Sequence, residues 1–138
     1  MKRSERSKKT IRETEKRLFR YAILKKRVED SRNDIAELAK RSVKCIIGNN
    51  YEGEEEFNKK LKCIENCIDA DEYEIKQIER ALAVVRNDYY FSIIEYKYFN
   101  AMTDVQAAQR VLCSVSTLRR QKSKLINKIA DALYGMSV

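Results

Sequence analysis

The chain predicts an all-α fold: a long N-terminal helix, then a C-terminal helical domain that carries a helix-turn-helix. Three observations carry that expectation. Proline is absent and only three glycines occur, at Gly48, Gly53 and Gly135, whereas a sheet needs turn chemistry roughly every 8–12 residues. Apolar residues recur at helical spacing over long stretches. Hydrophobic residues make up 43% of the chain and charged residues 36%, enough for one core beneath heavily solvated helix faces.

The elements follow in order. Residues 1–9, "MKRSERSKK", are polar and basic and read as a frayed tail. From residue 10 to residue 46 a seam of Ile11, Leu18, Tyr21, Val28, Ile35 and Leu38 marks one long helix. Tyr21, Val28 and Ile35 keep a seven-residue step, but Lys25 and Arg32 interrupt the other half of the seam. The helix therefore either pairs with a second copy as a coiled coil or lies on its own domain. At a rise of about 1.5 Å per residue it spans roughly 50 Å, more than a domain of this size needs. Part of it is expected to project or to meet a second subunit. The stretch "GNNYEGEEE" (48–56) is the expected linker, followed by a short acidic helix from residue 54 to residue 68. "DADE" (69–72) is expected to cap a further helix running to residue 86, with Ile75, Ile78, Leu82 and Val85 on one face and "RND" ending it. "YYFSIIEYKYF" (89–99) has strand-like composition, but no strand is at hand to pair with it, so it reads as helix. The chain thus divides into an N-terminal helical region, 1–70, and a helix-turn-helix domain, 71–138.

Charge and cysteine content narrow the function. Residues 1–44 hold 16 Lys/Arg against 7 Asp/Glu, residues 45–79 hold 4 against 10, and residues 80–138 hold 9 against 4. Two basic ends around an acidic middle point to a polyanion, and nucleic acid is the commonest one. No stretch approaches 18 apolar residues and no secretory leader is evident, so a soluble cytoplasmic protein without a membrane partner is expected. Cys45, Cys63, Cys67 and Cys113 lack metal-finger spacing, and histidine is absent. Cys63 and Cys67, flanked by Leu61, Ile64 and Ile68, read as helix core, so no metal and no cofactor is expected. Without histidine or a glycine-rich phosphate loop, most catalytic constellations are closed, and the chain does not read as an enzyme. Glu54, Glu55 and Glu56 read as solvated first-turn carboxylates.

The informative stretch is "TDVQAAQRVLCSVSTLRRQKSKL" (103–125). Thr103 is a good N-cap with Asp104 in the first turn, and Val105, Ala108 and Val111 are expected to face inward. "LCS" makes a three-residue turn, Ser114 caps a second helix, and Gly135 ends it. On a helical wheel Leu118, Leu125, Ile129, Ala132 and Leu133 share one side, with Val115 and Ile126 at its edge. Ser116, Arg120, Ser123, Lys124 and Asn127 share the other, flanked by Thr117 and Arg119. Two arginines so close to a helix start face the positive end of the helix dipole, which is unfavourable unless an anion is expected there. Duplex DNA is the anion that fits, with the N-terminal half of this helix in the major groove. The expected contacts are Ser116, Thr117, Arg119, Arg120, Ser123 and Lys124, arginine being suited to guanine O6 and N7. Lys124, Lys128 and the Gln106 amide are placed for the phosphate backbone.

The segment from Ile93 to Leu133 resembles the helix-turn-helix of sigma-factor region 4, an aromatic-rich helix followed by a threonine-led helix, a serine-containing turn and Ser-Thr-x-Arg-Arg. It is more similar to the RinA/ArpU/LtrA group of phage regulators, through Glu95-Tyr96-Lys97-Tyr98-Phe99-Asn100 and the run from Lys124 to Leu133. The likeness covers about 60 C-terminal residues well, and "LFRYAILKKRVEDSRNDI" more loosely. It implies a sequence-specific DNA-binding activator of late packaging and lysis genes, working as a dimer or tetramer and touching RNA polymerase through the long helix. A small terminase-like packaging protein and a sigma-like factor are the alternatives, although no counterpart of sigma region 2 is visible. One departure stands out: sigma-like motifs place glycine in the turn, where this chain has Leu112. A leucine resists positive φ, so a different turn type or helix crossing is expected there.

Overall fold

The computed structural model describes residues 7–47 and 52–135, with side chains placed outside 42–53. Among the described residues every regular element is helical: α1 (Lys8–Ile47), α2 (Glu52–Val85), the short α3 (Ser92–Ile94), α4 (Asp104–Val111) and α5 (Val115–Tyr134). Between α3 and α4, residues Glu95–Phe99 form a single π-helical turn. The all-α expectation is met, and no described helix is long and apolar enough to cross a membrane.

The chain forms two compact units, one from Met1–Ala22 and Lys76–Val138 and the other from Ile23–Ile75. In the second unit Leu24, Val28 and Ile68 are buried between α1 and α2. Asp71 is buried too, its carboxylate held by Arg27 through two bonds of 2.6 Å from Nε and Nη2. Arg32 reaches Glu72 one helix-face step away. These pairs explain a correction. "DADE" does not start a new helix, because α2 runs unbroken from Glu52 to Val85. Nothing in 69–72 removes a backbone donor or demands positive φ, and Asp71 serves a distant arginine rather than a cap.

Three further expectations shift. Lys8 and Lys9 belong to α1 rather than to a frayed tail, and the Ser7 hydroxyl accepts the Thr10 N–H at 3.2 Å to start it. Residues 48–51 of the expected linker lie outside the described residues, while 52–56 are already helical. Cys63 and Cys67 are exposed rather than in the core, which at this point is formed by the neighbouring Ile68. The Cys45 side chain lies outside the described residues.

In the first unit, Leu18, Ile78, Leu82, Ile93, Ile94, Tyr98, Leu118 and Ile129 are all at most 2% exposed. Within it α4 packs on α5, α3 and the π turn, and α5 packs on α3. The buried part of the α1 seam is thus covered within the chain. Two phenols fasten α1 to the other elements. Tyr98 donates to Glu15 Oε2 at 2.7 Å and lies edge-on to Phe19, while Tyr21 donates to Glu79 Oε2 at 2.8 Å and packs against Phe99. Burial first, and the bond to Glu79 second, push the Tyr21 phenol up to about 12. The same causes, with Glu15 as acceptor, raise Tyr98. Arg17 also lies over the Tyr134 ring, 5.4 Å from its centre.

The turn between α4 and α5 carries the clearest departure from expectation. Leu112 does adopt the left-handed conformation, with φ 61° and ψ 48°. Its N–H reaches Gln109 O, and the Cys113 N–H reaches Ala108 O at 3.1 Å. That is the paired 5→2 and 6→1 bonding that ends many helices, here with leucine in the glycine place. The side chain escapes a clash by pointing outward, 92% exposed. Left-handed backbone costs a non-glycine residue about 1–2 kcal/mol, while glycine loses about 0.5–1 kcal/mol more chain entropy on folding. Leu112→Gly is therefore expected to stabilise the first unit by about 0.5–1 kcal/mol, read as a rise in midpoint on thermal or urea unfolding. A loss of stability would mean that the leucine side chain packs on something.

Candidate nucleic-acid interface

Both helices of the motif start from side-chain caps. Thr103 accepts the Gln106 N–H at 3.2 Å, and the Gln106 side chain returns the favour by accepting the Thr103 N–H at 3.0 Å. This reciprocal box satisfies two otherwise orphaned donors. Ser114 accepts the Thr117 N–H at 3.1 Å, and the two hydroxyls lie 2.9 Å apart. Gly135, with φ 74°, ends α5 where the sequence places the stop.

Along α5, Leu118, Leu125, Ile126, Ile129 and Ala130 are buried. Ser116, Arg119, Arg120, Ser123, Lys124 and Lys128 are exposed, and Thr117 is half-buried by its capping role. The expected division of α5 into an apolar and a cationic face holds in outline, but Ala130 rather than Ala132 faces the core, Ile126 is fully buried rather than at the edge, and Asn127 is half-buried rather than on the solvent side. On α4 the inward row is Asp104, Ala107, Ala108 and, in part, Val111. Val105, expected inside, is 55% exposed. The i, i+3, i+4, i+7 row of so short a helix leaves no place for it. Gln106 is exposed, but its carbonyl oxygen is occupied by the cap, so only its NH₂ group is free to donate.

The seam between the two helices is electrostatic. Asp104 sits in the first turn of α4 and faces three cations: Lys97 Nζ at 3.0 Å, Arg119 Nε at 3.0 Å and Lys122 Nζ at 3.9 Å. Lys97 projects from the π turn, where it also donates to Met102 O at 3.3 Å. Part of the counter-charge for Arg119 is therefore supplied inside the chain. The guanidinium remains 66% exposed, with its two NH₂ groups beyond the bonded Nε. Arg120, Lys124 and Lys128 have no such partner among the described residues. One carboxylate against three cations leaves this corner positive. Lys97 and Lys122 escaped the sequence reading. The available signal for Lys122 was its place four residues after Leu118, in the core-facing row of α5, where a lysine implies a partner at the core's edge.

Hydrogen bonding from Lys97, and then from Arg119, holds the Asp104 carboxyl below the usual carboxylate range against the opposing effect of burial. A depressed pKa means that the folded state favours the charged form. The stabilisation is complete above the ordinary value of about 3.9 and is lost as pH falls through the lowered one. Asp104→Asn is expected to cost about 1 kcal/mol at neutral pH, a figure reduced for the solvent that reaches the pair. Wild type and variant should converge in stability as acid protonates Asp104. A gap that stays constant down the acid limb would show that the carboxylate charge is not what stabilises the seam.

Among the described residues no three side chains of metal-binding type come together. Glu55 and Glu56 are exposed and pair with Lys59 and Lys60 one turn on. No family model, curated protein or solved structure matches this chain.

Proposed function

We propose that this protein is a sequence-specific DNA-binding transcriptional regulator of phage or prophage type, with α5 as its recognition helix, activating late packaging and lysis genes. The observation that supports it is the two-sidedness of α5: a fully buried aliphatic row on one side, and exposed Arg119, Arg120, Ser123, Lys124 and Lys128 on the other. Behind it lies a shorter capped helix at a tight turn, as a helix-turn-helix requires. A first turn without a carboxylate suits an anion better than it suits water. Ser116, Thr117, Arg119, Arg120 and Ser123 would read base edges. Lys124, Lys128 and the Gln106 NH₂ would hold phosphates. Activation would follow from binding at a late promoter and from contact between α1 and RNA polymerase in the host cytoplasm.

Repeated selection of bound duplexes from a randomised pool tests this reading. A recurring sequence motif is expected, and recovery of unenriched DNA after several rounds would overturn it. The mass of the protein in solution separates the alternatives: a dimer or tetramer suits the regulator, whereas a closed ring of about eight or more copies suits a packaging component. Co-purification with core polymerase and initiation unaided would point to a sigma-like factor.

A further inference from the structure

The polar face of α5 does not end at α5. A groove in the first unit is lined by Lys8 and Arg12 of α1 and by Ser123 and Asn127 of α5, over a floor that includes Ile126. Lys8 and Arg12 are exposed and have no ion-pair partner among the described residues. The one carboxylate in the groove, Glu15, accepts the Tyr98 hydroxyl. Asn127 turns its amide onto Ser123 O at 2.9 Å, which leaves its own oxygen and the Ser123 hydroxyl at the groove surface. Neither α1 nor α5 has an acidic residue in its first turn.

From this placement we propose that the first turns of α1 form a second DNA-contact element. Lys8 and Arg12 clasp the phosphate backbone that borders the major groove entered by α5. The inference rests on the DNA-binding reading above and adds to it the partner of a segment that reading leaves to polymerase or a second subunit. Two features favour a phosphate backbone over another occupant. The groove is continuous with the cationic face of α5, through Ser123. Lys122, also in its lining, already faces Asp104, but Lys8 and Arg12 are unpaired among the described residues and project from a helix, so they can neutralise phosphates without first breaking an internal pair. These contacts position the protein and carry no sequence preference.

The test measures binding of the full chain to a random-sequence duplex of about 30 base pairs across a potassium chloride series. Each phosphate neutralised contributes about 0.9 to the slope of log K against log salt. The double variant Lys8→Ala/Arg12→Ala is expected to lower that slope by about 1.8 and to weaken binding on the order of tenfold or more at 0.1 M salt. Arg12→Glu should weaken it as well. Lys59→Ala/Lys60→Ala removes the same charge from the other unit and is expected to leave the slope unchanged. All four residues are exposed, so unchanged circular dichroism and melting should accompany these results. If the α1 double variant keeps the wild-type slope while Lys124→Ala lowers it by about 0.9, the α1 contact is wrong and the DNA-binding reading stands. If wild type shows no salt-dependent binding at all, the reading beneath it fails and takes this inference with it.

Discussion

Leu118→Ala is expected to destabilise the first unit by about 2–5 kcal/mol, the range for removing a fully buried leucine and leaving a cavity. Leu118 is 0% exposed and lies in the first turn of α5, which packs on α4, where the small Ala107 and Ala108 are also buried and let the helices approach closely. A whole domain is stable by only about 5–15 kcal/mol, so the substitution should shift the unfolding transition visibly and take the capped turn with it. Arg120→Ala, two residues on and exposed, is the matched control and should stay within about 0.5 kcal/mol of wild type. Urea unfolding of the two variants reads both values. Equal, small effects would mean that α5 is not seated by Leu118, and the outward direction assigned to its cations would lose its basis.

What the sequence made legible was local. The ends of α5 could be read because Ser114 and Gly135 act on their own backbone, and its inward row because four turns of aliphatic residues repeat at helical spacing. Thr103 was legible for the same reason. The features that escaped depend on residues far apart in the chain. Asp71 looked like a cap because its partner, Arg27, lies 44 residues away. Lys97, Asp104 and Lys122 meet only after the π turn and two helices have packed. The π turn has no spacing of its own in "EYKYF". It closes with the bond from Asn100 N–H to Glu95 O at 3.0 Å, and along it Tyr98 enters the core while Lys97 reaches Asp104. Leu112 shows the limit from the other side. The steric rule about leucine is sound, yet helix termination satisfied by two backbone bonds outweighs a conformational cost of about 1–2 kcal/mol. The first unit draws on both ends of the chain, an arrangement that no reading of composition along the chain reveals.

The second large effect concerns which cation of α5 specifies and which merely holds. Arg119 has its Nε committed to Asp104, so it presents a fixed and partly neutralised guanidinium. Arg120 has no internal partner among the described residues and keeps its full fork of donors exposed. A bidentate arginine on guanine discriminates against the wrong base by about 1–3 kcal/mol. Arg120→Ala should therefore weaken binding to the selected motif by roughly 5- to 150-fold while changing affinity for random duplex far less. The preference at one position of the selected motif should relax. Lys124, one turn further along and equally exposed, is a flexible point charge suited to phosphate. Lys124→Ala should weaken selected and random duplexes by the same factor and reduce the salt slope by about 0.9. The contrast is physical: base-edge contacts exist only on the right sequence, whereas phosphates are present on every sequence. Measuring both variants on both duplexes gives four affinities, and the assignment requires Arg120 alone to show a difference between duplexes. If both variants lose equally on the two DNAs, α5 grips the backbone without reading it, and the source of specificity must lie elsewhere in the chain.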